Sequence, residues 1–332
     1  MARSATSTTV WAAVIGNALV AITKVAAALL SGSSAMLSEA VHSVVDTGNE
    51  GLLLYGMRRS RQRPDAEHPF GFGRELYFWS FIVALFLFGL GCVASVFEGI
   101  DHIRHPHPVE HPGVIYTVLA LSVLFEGSTW VIALKGFKPS VGAAGYLDAI
   151  KQSKNPPQFV VLLEDTAALI GIAIVFVGTW ASIHLDEPRI DGVASIAVGV
   201  LLGLVSVVLA RESKGLLIGE RADMKLQEEV FAVARTTAGV VAPNGLASAQ
   251  IAPDQVVVAL SVQFEAHLTT PEIEQVVIEM EEKIRLTQPQ VFVLYVKPQS
   301  PEAFASTQKR IRGQAFRGPD RGAAGLPDQS NI

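Results

Sequence analysis

His42 and Asp46 stand four residues apart in the stretch Ser38-Glu39-Ala40-Val41-His42-Ser43-Val44-Val45-Asp46. On a helix that spacing puts an imidazole and a carboxylate on one face. The stretch lies inside an apolar segment, residues 36–57. Ionisable groups are costly in hydrocarbon and usually face a bundle interior or a water-filled path. An imidazole nitrogen beside a carboxylate oxygen is half of a divalent-metal site. The same residues also read as a polar pair that locks two helices together. Glu39 and Glu50 flank the pair nearer the segment ends.

A second source of carboxylates is Val161-Leu162-Leu163-Glu164-Asp165, near the start of another apolar segment. Adjacent helical positions are about 100° apart, so Glu164 and Asp165 are expected to point different ways. Asp165 is the preferred metal ligand. Glu164 is either the further ligand or the partner of Lys24 or of a proton. His42, Asp46 and Asp165 then outline a four-coordinate site between the second and fifth apolar segments. Nitrogen and oxygen donors without cysteine suit Zn²⁺, with Mn²⁺, Fe²⁺ and Co²⁺ as alternatives. The same groups bind protons when empty, so metal binding expels protons. That is a physical route to metal/proton exchange. Asp46 and Asp165 could also be paired acids of an intramembrane enzyme, but no other catalytic constellation accompanies them, and the chain reads as a non-enzyme.

These residues need elements to hold them. Of 332 residues, 50% are hydrophobic and 17% charged, and the mean hydropathy is +0.38. That composition fits an integral membrane protein with one modest soluble part. The net charge of −5 gives no reason to expect nucleic acid as a partner, and a single cysteine, Cys92, rules out an internal disulfide framework. The N-terminal residues suggest neither a cleaved signal peptide nor a transit peptide. Apolar segments cover about residues 9–30, 36–57, 76–100, 114–134, 159–183 and 193–209, each near the roughly 20 residues that a membrane helix needs. Basic residues favour cytoplasmic loops. Arg58, Arg59, Arg61, Arg63 and Arg74 lie between the second and third segments. Lys135, Lys138, Lys151 and Lys154 lie between the fourth and fifth, and Arg211, Lys214 and Arg221 follow the sixth. The opposite loops hold Arg104 and Arg189. Both termini are therefore expected in the cytoplasm.

The expected fold is a membrane all-α six-helix bundle over residues 8–212 and a small α+β domain, ordered α-β-β-α-β with helices on one face of a compact sheet, over 213–298. Within the second domain, residues 224–238 have helical spacing, Pro243-Asn244-Gly245 reads as a turn, and 247–251, 255–265 and 291–296 read as strands. Thr269-Thr270-Pro271-Glu272 is a helix start. Residues 299–332 are rich in Gly, Pro, Gln, Ser and Arg and read as a disordered tail. His102, His105, His107 and His111 fall in the loop 101–112, which could collect or release metal or be a solvated, proline-stiffened loop.

The chain resembles the cation diffusion facilitator family of divalent-metal transporters, and within it the bacterial relatives of the mitochondrial zinc-transporter-nine branch. The resemblance covers about residues 8–298. It rests on Asn17 and Lys24, Ser31-Gly32-Ser33, Glu39-Ala40-Val41-His42-Ser43-Val44-Val45-Asp46, His68-Pro69-Phe70-Gly71-Phe72-Gly73-Arg74-Glu75 and Asp191-Gly192. It implies a homodimer in the lipid of the bacterial cytoplasmic (inner) membrane, a ferredoxin-like cytoplasmic domain over 213–298, alternating access, proton-coupled efflux with Zn²⁺ as the transported substrate and not a cofactor, and His42 and Asp46 as the second-helix half of the transport site. Three positions depart from the family pattern. Val161 stands where a His or Asp is usual, leaving the fourth ligand to Glu164, water or another group. Phe72 replaces a second loop histidine, so that Asp65 and His68 alone remain there and the loop is expected to be structural. Lys297 ends the last strand where soluble domains that bind metal carry His and Asp, so dimerisation is the expected role of this domain. The reading from a different class is a membrane-anchored sensor or scaffold whose intramembrane polar groups are structural.

Overall fold

The computed structural model describes the backbone of residues 2–137 and 145–316, and the side chains of 17–137, 145 and 148–310. Lys138 and residues 317–332 lie outside the described residues. The chain divides into two compact units, 1–220 with 250–253, and 221–249 with 254–332.

In the first unit, helices cover all six apolar segments. They are α1 (Ala2–Ser31), α2 (Ser34–Ser60), α3 (Glu75–Phe86) continued through a π-helical stretch (Leu87–Cys92) into α4 (Val93–Arg104), α5 (Pro112–Phe137), then a short α6 (Tyr146–Gln152), α7 (Pro156–His184) and α8 (Arg189–Ile218). Four of the described helices are long and apolar enough to cross a membrane: Glu75–Arg104, Pro112–Phe137, Pro156–His184 and Arg189–Ile218. The described apolar part of α1, Asn17–Ser31, is shorter. Helix α2 has the length but carries Glu39, His42, Asp46, Glu50, Arg58 and Arg59.

That polar helix is also the central one. It packs against α1, α3, α4, α7 and α8, while α5 packs against α1 and α7. Its start is fixed by Ser33, whose Oγ accepts a hydrogen bond from Met36 N, the usual serine N-cap. Asp191, fully buried at the head of α8, reinforces that cap. Its carboxylate accepts from Ser33 Oγ at 2.9 and 3.0 Å, from Ala35 N at 3.0 Å and from Thr179 Oγ1 at 3.3 Å. The Asp191-Gly192 pair of the sequence is thus a clamp on the start of α2.

Gly192 serves a second purpose. A Cβ at Gly99 would lie 2.5 Å from Gly192 O, and one at Gly192 would lie 2.8 Å from Gly99 O. Helices α4 and α8 therefore touch backbone to backbone, the small-residue packing common between membrane helices. Because the obstructing atoms are main chain, they cannot swing aside. Gly99→Val is expected to abolish the monodisperse peak in size-exclusion chromatography. Gly127→Ala, at an open position with nothing within 4 Å, should leave that peak unchanged.

The second unit contains α9 (Met224–Thr236), most of β1 (Val240–Ala252), β2 (Gln255–Phe264), α10 (Thr270–Thr287), β3 (Val291–Pro298) and α11 (Pro301–Phe316). The sheet order is β1-β2-β3. A two-residue connection makes β1 and β2 antiparallel, and β2 runs parallel to β3 with Val258 opposite Leu294 and Leu260 opposite Val296. Val256, Val258, Leu260 and Val262 point to one face at the strand period and bury against Leu226, Val230, Ala234, Met280 and Ile284. Helix α10 starts where expected, with a capping box in which Glu272 accepts from Thr269 N and Thr269 Oγ1, both at 2.7 Å. The Thr269 N–H foremost holds the Glu272 carboxyl below its ordinary range.

Three sequence expectations change here. Pro243-Asn244-Gly245 is not a turn but part of β1. Proline is tolerated on an edge strand, Asn244 Nδ2 donates to Gln299 O at 2.8 Å, and Gly245 leaves room for the Phe304 ring. Residues 301–316 of the expected disordered tail form α11, capped by Ser300 Oγ accepting from Ala303 N at 3.2 Å. Phe304 gives this helix a place to pack, which the composition of the segment conceals. The boundary also falls later than 212/213, because α8 continues to Ile218 with Ser213 and Leu216 buried.

Candidate functional site

Four helices meet at a cavity of about 30 Å³, room for a water molecule or a dehydrated ion. Its walls are Asn17 and Val20 of α1, Ser43, Asp46 and Glu50 of α2, Glu126 of α5, and Val161, Glu164, Asp165 and Ala168 of α7. The spacings explain the convergence. Residues 43, 46 and 50 form one stripe of α2, and 161, 164, 165 and 168 form one stripe of α7. Glu164 and Asp165 thus line the same space, against the expectation that their 100° separation would divide them. The cavity is wide enough to accept both edges of the stripe.

Most of the carboxylates have one fixed oxygen and one free. Asn17 Nδ2 donates to Glu50 Oε1 at 2.5 Å, and Asn49 Nδ2 donates to Glu164 Oε1 at 2.7 Å. Lys24 Nζ lies 2.6 Å from Glu126 Oε1 and 2.8 Å from Glu39 Oε2. Lys24 is therefore committed to Glu39 and Glu126, and of the alternatives open for Glu164 the pairing with Lys24 gives way to the Asn49 contact. Asp46 Oδ1, Glu50 Oε2, Glu126 Oε2 and Asp165 Oδ2 are buried and have no hydrogen-bond partner. Orphaned buried oxygens of this kind are rare and call for an explanation. Four acids lining one cavity, each with such an oxygen, set up a repulsion that cations relieve, whether protons or a metal.

His42 is placed differently. Its Nε2 lies 2.8 Å from Asp46 Oδ2, with His42 1% and Asp46 19% exposed. Neither ring nitrogen has an aligned hydrogen-bond partner, and His42 is absent from the cavity wall. The structure thus brings Asp46, Glu164 and Asp165 together and sets His42 against the other oxygen of Asp46. Among the described residues no group of three or more His, Cys, Asp or Glu side chains is closed around a common point as a finished metal centre. The arrangement is an open acidic chamber. Val161 lies in its wall, so the unusual residue occupies a site position without offering a donor.

At the loop, Asp65 Oδ1 accepts from His68 N at 2.6 Å and from Glu67 N at 3.0 Å, and lies 3.1 Å from His68 Nδ1. The His68 N–H foremost draws the Asp65 carboxyl below its ordinary range. The His68 ring stacks on Phe72 at 4.3 Å, and Arg59 stands 5.5 Å over Phe72. These partners describe a closed turn ahead of α3.

A family model for the cation efflux transmembrane domain matches residues 10–218. The chain belongs to the cation efflux family. Members of this family are transporters, not enzymes. Over 212 residues the chain is 36% identical to the Mus musculus proton-coupled zinc antiporter SLC30A9, mitochondrial, covering 63% of this chain and 37% of that protein. It is 34% identical over 195 residues to Arabidopsis thaliana metal tolerance protein C4, covering 58% and 43%. It is 25% identical over 235 residues to magnetosome protein MamB of Paramagnetospirillum magneticum, covering 69% and 72%. The chain thus spans less than half the length of the first two relatives.

The matched region contains every cavity residue. Glu126 in the wall, and Asn49, which holds Glu164 from behind, are functional residues that sequence reasoning missed. Glu126 had a visible signal, since it is a lone acid in the apolar run of α5. Asn49 had none beyond sharing a helix with Asp46.

Proposed function

We propose that this protein is a divalent-metal transporter, with Zn²⁺ as the principal cargo, that exchanges metal for protons by alternating access. The observation that carries the reading is the set of orphaned carboxylate oxygens on Asp46, Glu50, Glu126 and Asp165 at one cavity. A divalent cation can neutralise several of them at once. On its departure protons can take its place, because carboxylates bind both. Asp46 and Asp165 are the proposed central ligands from α2 and α7. His42 supplies nitrogen when its ring turns from Asp46 Oδ2 to the ion, favouring Zn²⁺ over harder cations. Glu164 is the proposed fourth group, one oxygen anchored by Asn49 and the other available to the metal.

In this reading α1, α2, α3 with α4, α5, α7 and α8 all span the membrane, giving six crossings. The polar stripe of α2 is tolerated because it faces protein and cavity rather than lipid. The arginine-rich and lysine-rich loops support a cytoplasmic position for both termini, in this reading in a bacterium. The second unit is a ferredoxin-like cytoplasmic domain that pairs two copies. The name of the mouse relative supports zinc and proton coupling for this chain.

The test is zinc flux in vesicles reconstituted with the purified full chain. An acidic lumen is expected to drive Zn²⁺ inward, and collapsing the pH gradient with an ionophore should stop accumulation. Zinc movement that ignores an imposed gradient would overturn proton exchange. No movement of Zn²⁺, Mn²⁺, Fe²⁺ or Co²⁺ at all would overturn transport.

A further inference from the structure

The buried His102 has no part in the acidic cavity. It is 1% exposed at the end of α4, and neither ring nitrogen makes an aligned hydrogen bond, although the Pro188 carbonyl faces the ring. The His107 ring meets it with centroids 4.2 Å apart and planes at 76°. His107 is itself exposed, and a Cβ built on Gly32 would lie 3.7 Å from His107 Nδ1. The loop carrying His107 is fastened by Glu110 N donating to Ser31 O at 2.7 Å. The other loop histidines are placed otherwise: His105 pairs with Asp101 at 3.2 Å, and His111 lies beyond the fastened point.

We propose that His102 and His107 form a second metal site, taking a borderline divalent cation such as Zn²⁺ through one nitrogen of each ring. The ring nitrogen that the Pro188 carbonyl does not face is buried without a partner, which is costly unless something occupies it. A carbonyl beside one ring nitrogen is the usual device that holds the N–H there and frees the other nitrogen for a metal. With Zn–N distances of about 2.0–2.1 Å, two imidazoles sharing a tetrahedral ion place their centroids about 5 Å apart. The observed pair comes within about 1 Å of that separation, and the exposed His107 can move. Water completes the coordination from the open side. From Ser34, at the start of α2 beside Gly32, to Asp46 the helical rise is about 18 Å, so this ion cannot be the one held in the cavity. The pair therefore stands as a separate station at the end of the bundle where α1 turns into α2.

The test is a count of Zn²⁺ bound per chain by equilibrium dialysis, on full-length detergent-purified protein without a histidine tag. The double variant Asp46→Asn/Asp165→Asn is expected to retain one ion. Adding His102→Gln should remove that ion, and adding His107→Gln instead should do the same. The second variant changes an exposed side chain and so leaves the core intact. In the otherwise unaltered protein, His107→Gln should lower the count by one. An unchanged count in the histidine variants would overturn the proposal, and so would complete loss of zinc in the folded Asp46→Asn/Asp165→Asn protein. The count is independent of zinc flux, so failure of transport and failure of this site are distinguishable.

Discussion

Asp46→Asn is expected to reduce pH-driven zinc uptake by about 100-fold or more, because even removal of a group that only supports a ligand costs 10- to 100-fold. Asp46 is the member of the site with most connections. It lies in the cavity wall, keeps one buried oxygen without a partner, and offers the other to His42 at 2.8 Å. Asparagine preserves its size while removing the charge that a cation needs. Asp165→Asn should act similarly, since Asp165 also lines the cavity with an orphaned oxygen. Glu164→Gln is expected to do less harm, because Asn49 already engages one of its oxygens. Uptake would be measured in vesicles containing equal amounts of protein, after matched size-exclusion profiles establish folding. Wild-type uptake by both aspartate variants would remove the acidic cavity from the transport path.

What could be read from the sequence follows from how local each feature is. The His42–Asp46 spacing is a property of one helix, so it was visible without any partner. Asp165 stood out because a carboxylate is rare in an apolar run. The alternation Val256, Val258, Leu260, Val262 likewise announced a half-buried strand. The features that escaped depend on neighbours distant in the chain. Glu126 meets the site only when α5 packs on α1 and α7. Lys24 could have paired with any buried acid, and only the packing selects Glu39 and Glu126. The Pro243-Asn244-Gly245 turn failed for the same reason, since an edge position, the Gln299 carbonyl and the Phe304 ring make extended backbone favourable there. Composition described 301–316 as unable to build a core, yet the segment needs only to add one aromatic to an existing one.

Lys24→Met should lower the apparent melting temperature in detergent by roughly 6–20 °C. Lys24 and Glu39 are both 0% exposed, and Glu126 is 12% exposed. Methionine fills nearly the same volume but leaves Glu39 without a countercharge. Breaking a buried pair from one side costs about 3–5 kcal/mol, and each kcal/mol is worth about 2–4 °C in a protein unit of this size. Glu39 cannot escape readily, because its Oε1 rests against Gly171 of α7, where even a Cβ would collide with it. If the loss comes from the stranded charge, Lys24→Met/Glu39→Gln should recover much of the melting temperature, since a neutral amide no longer requires the ammonium group. If instead it comes from lost packing, the second substitution should make matters worse. The triad also ties the fold to the cavity. Glu126 gives one oxygen to Lys24 and leaves the other buried without a partner, so a cation in the chamber and the lysine compete for the same carboxylate. The double variant releases Glu126 from that competition while restoring stability. Its zinc affinity should rise above that of the unaltered chain, a combination that a purely structural triad would not produce.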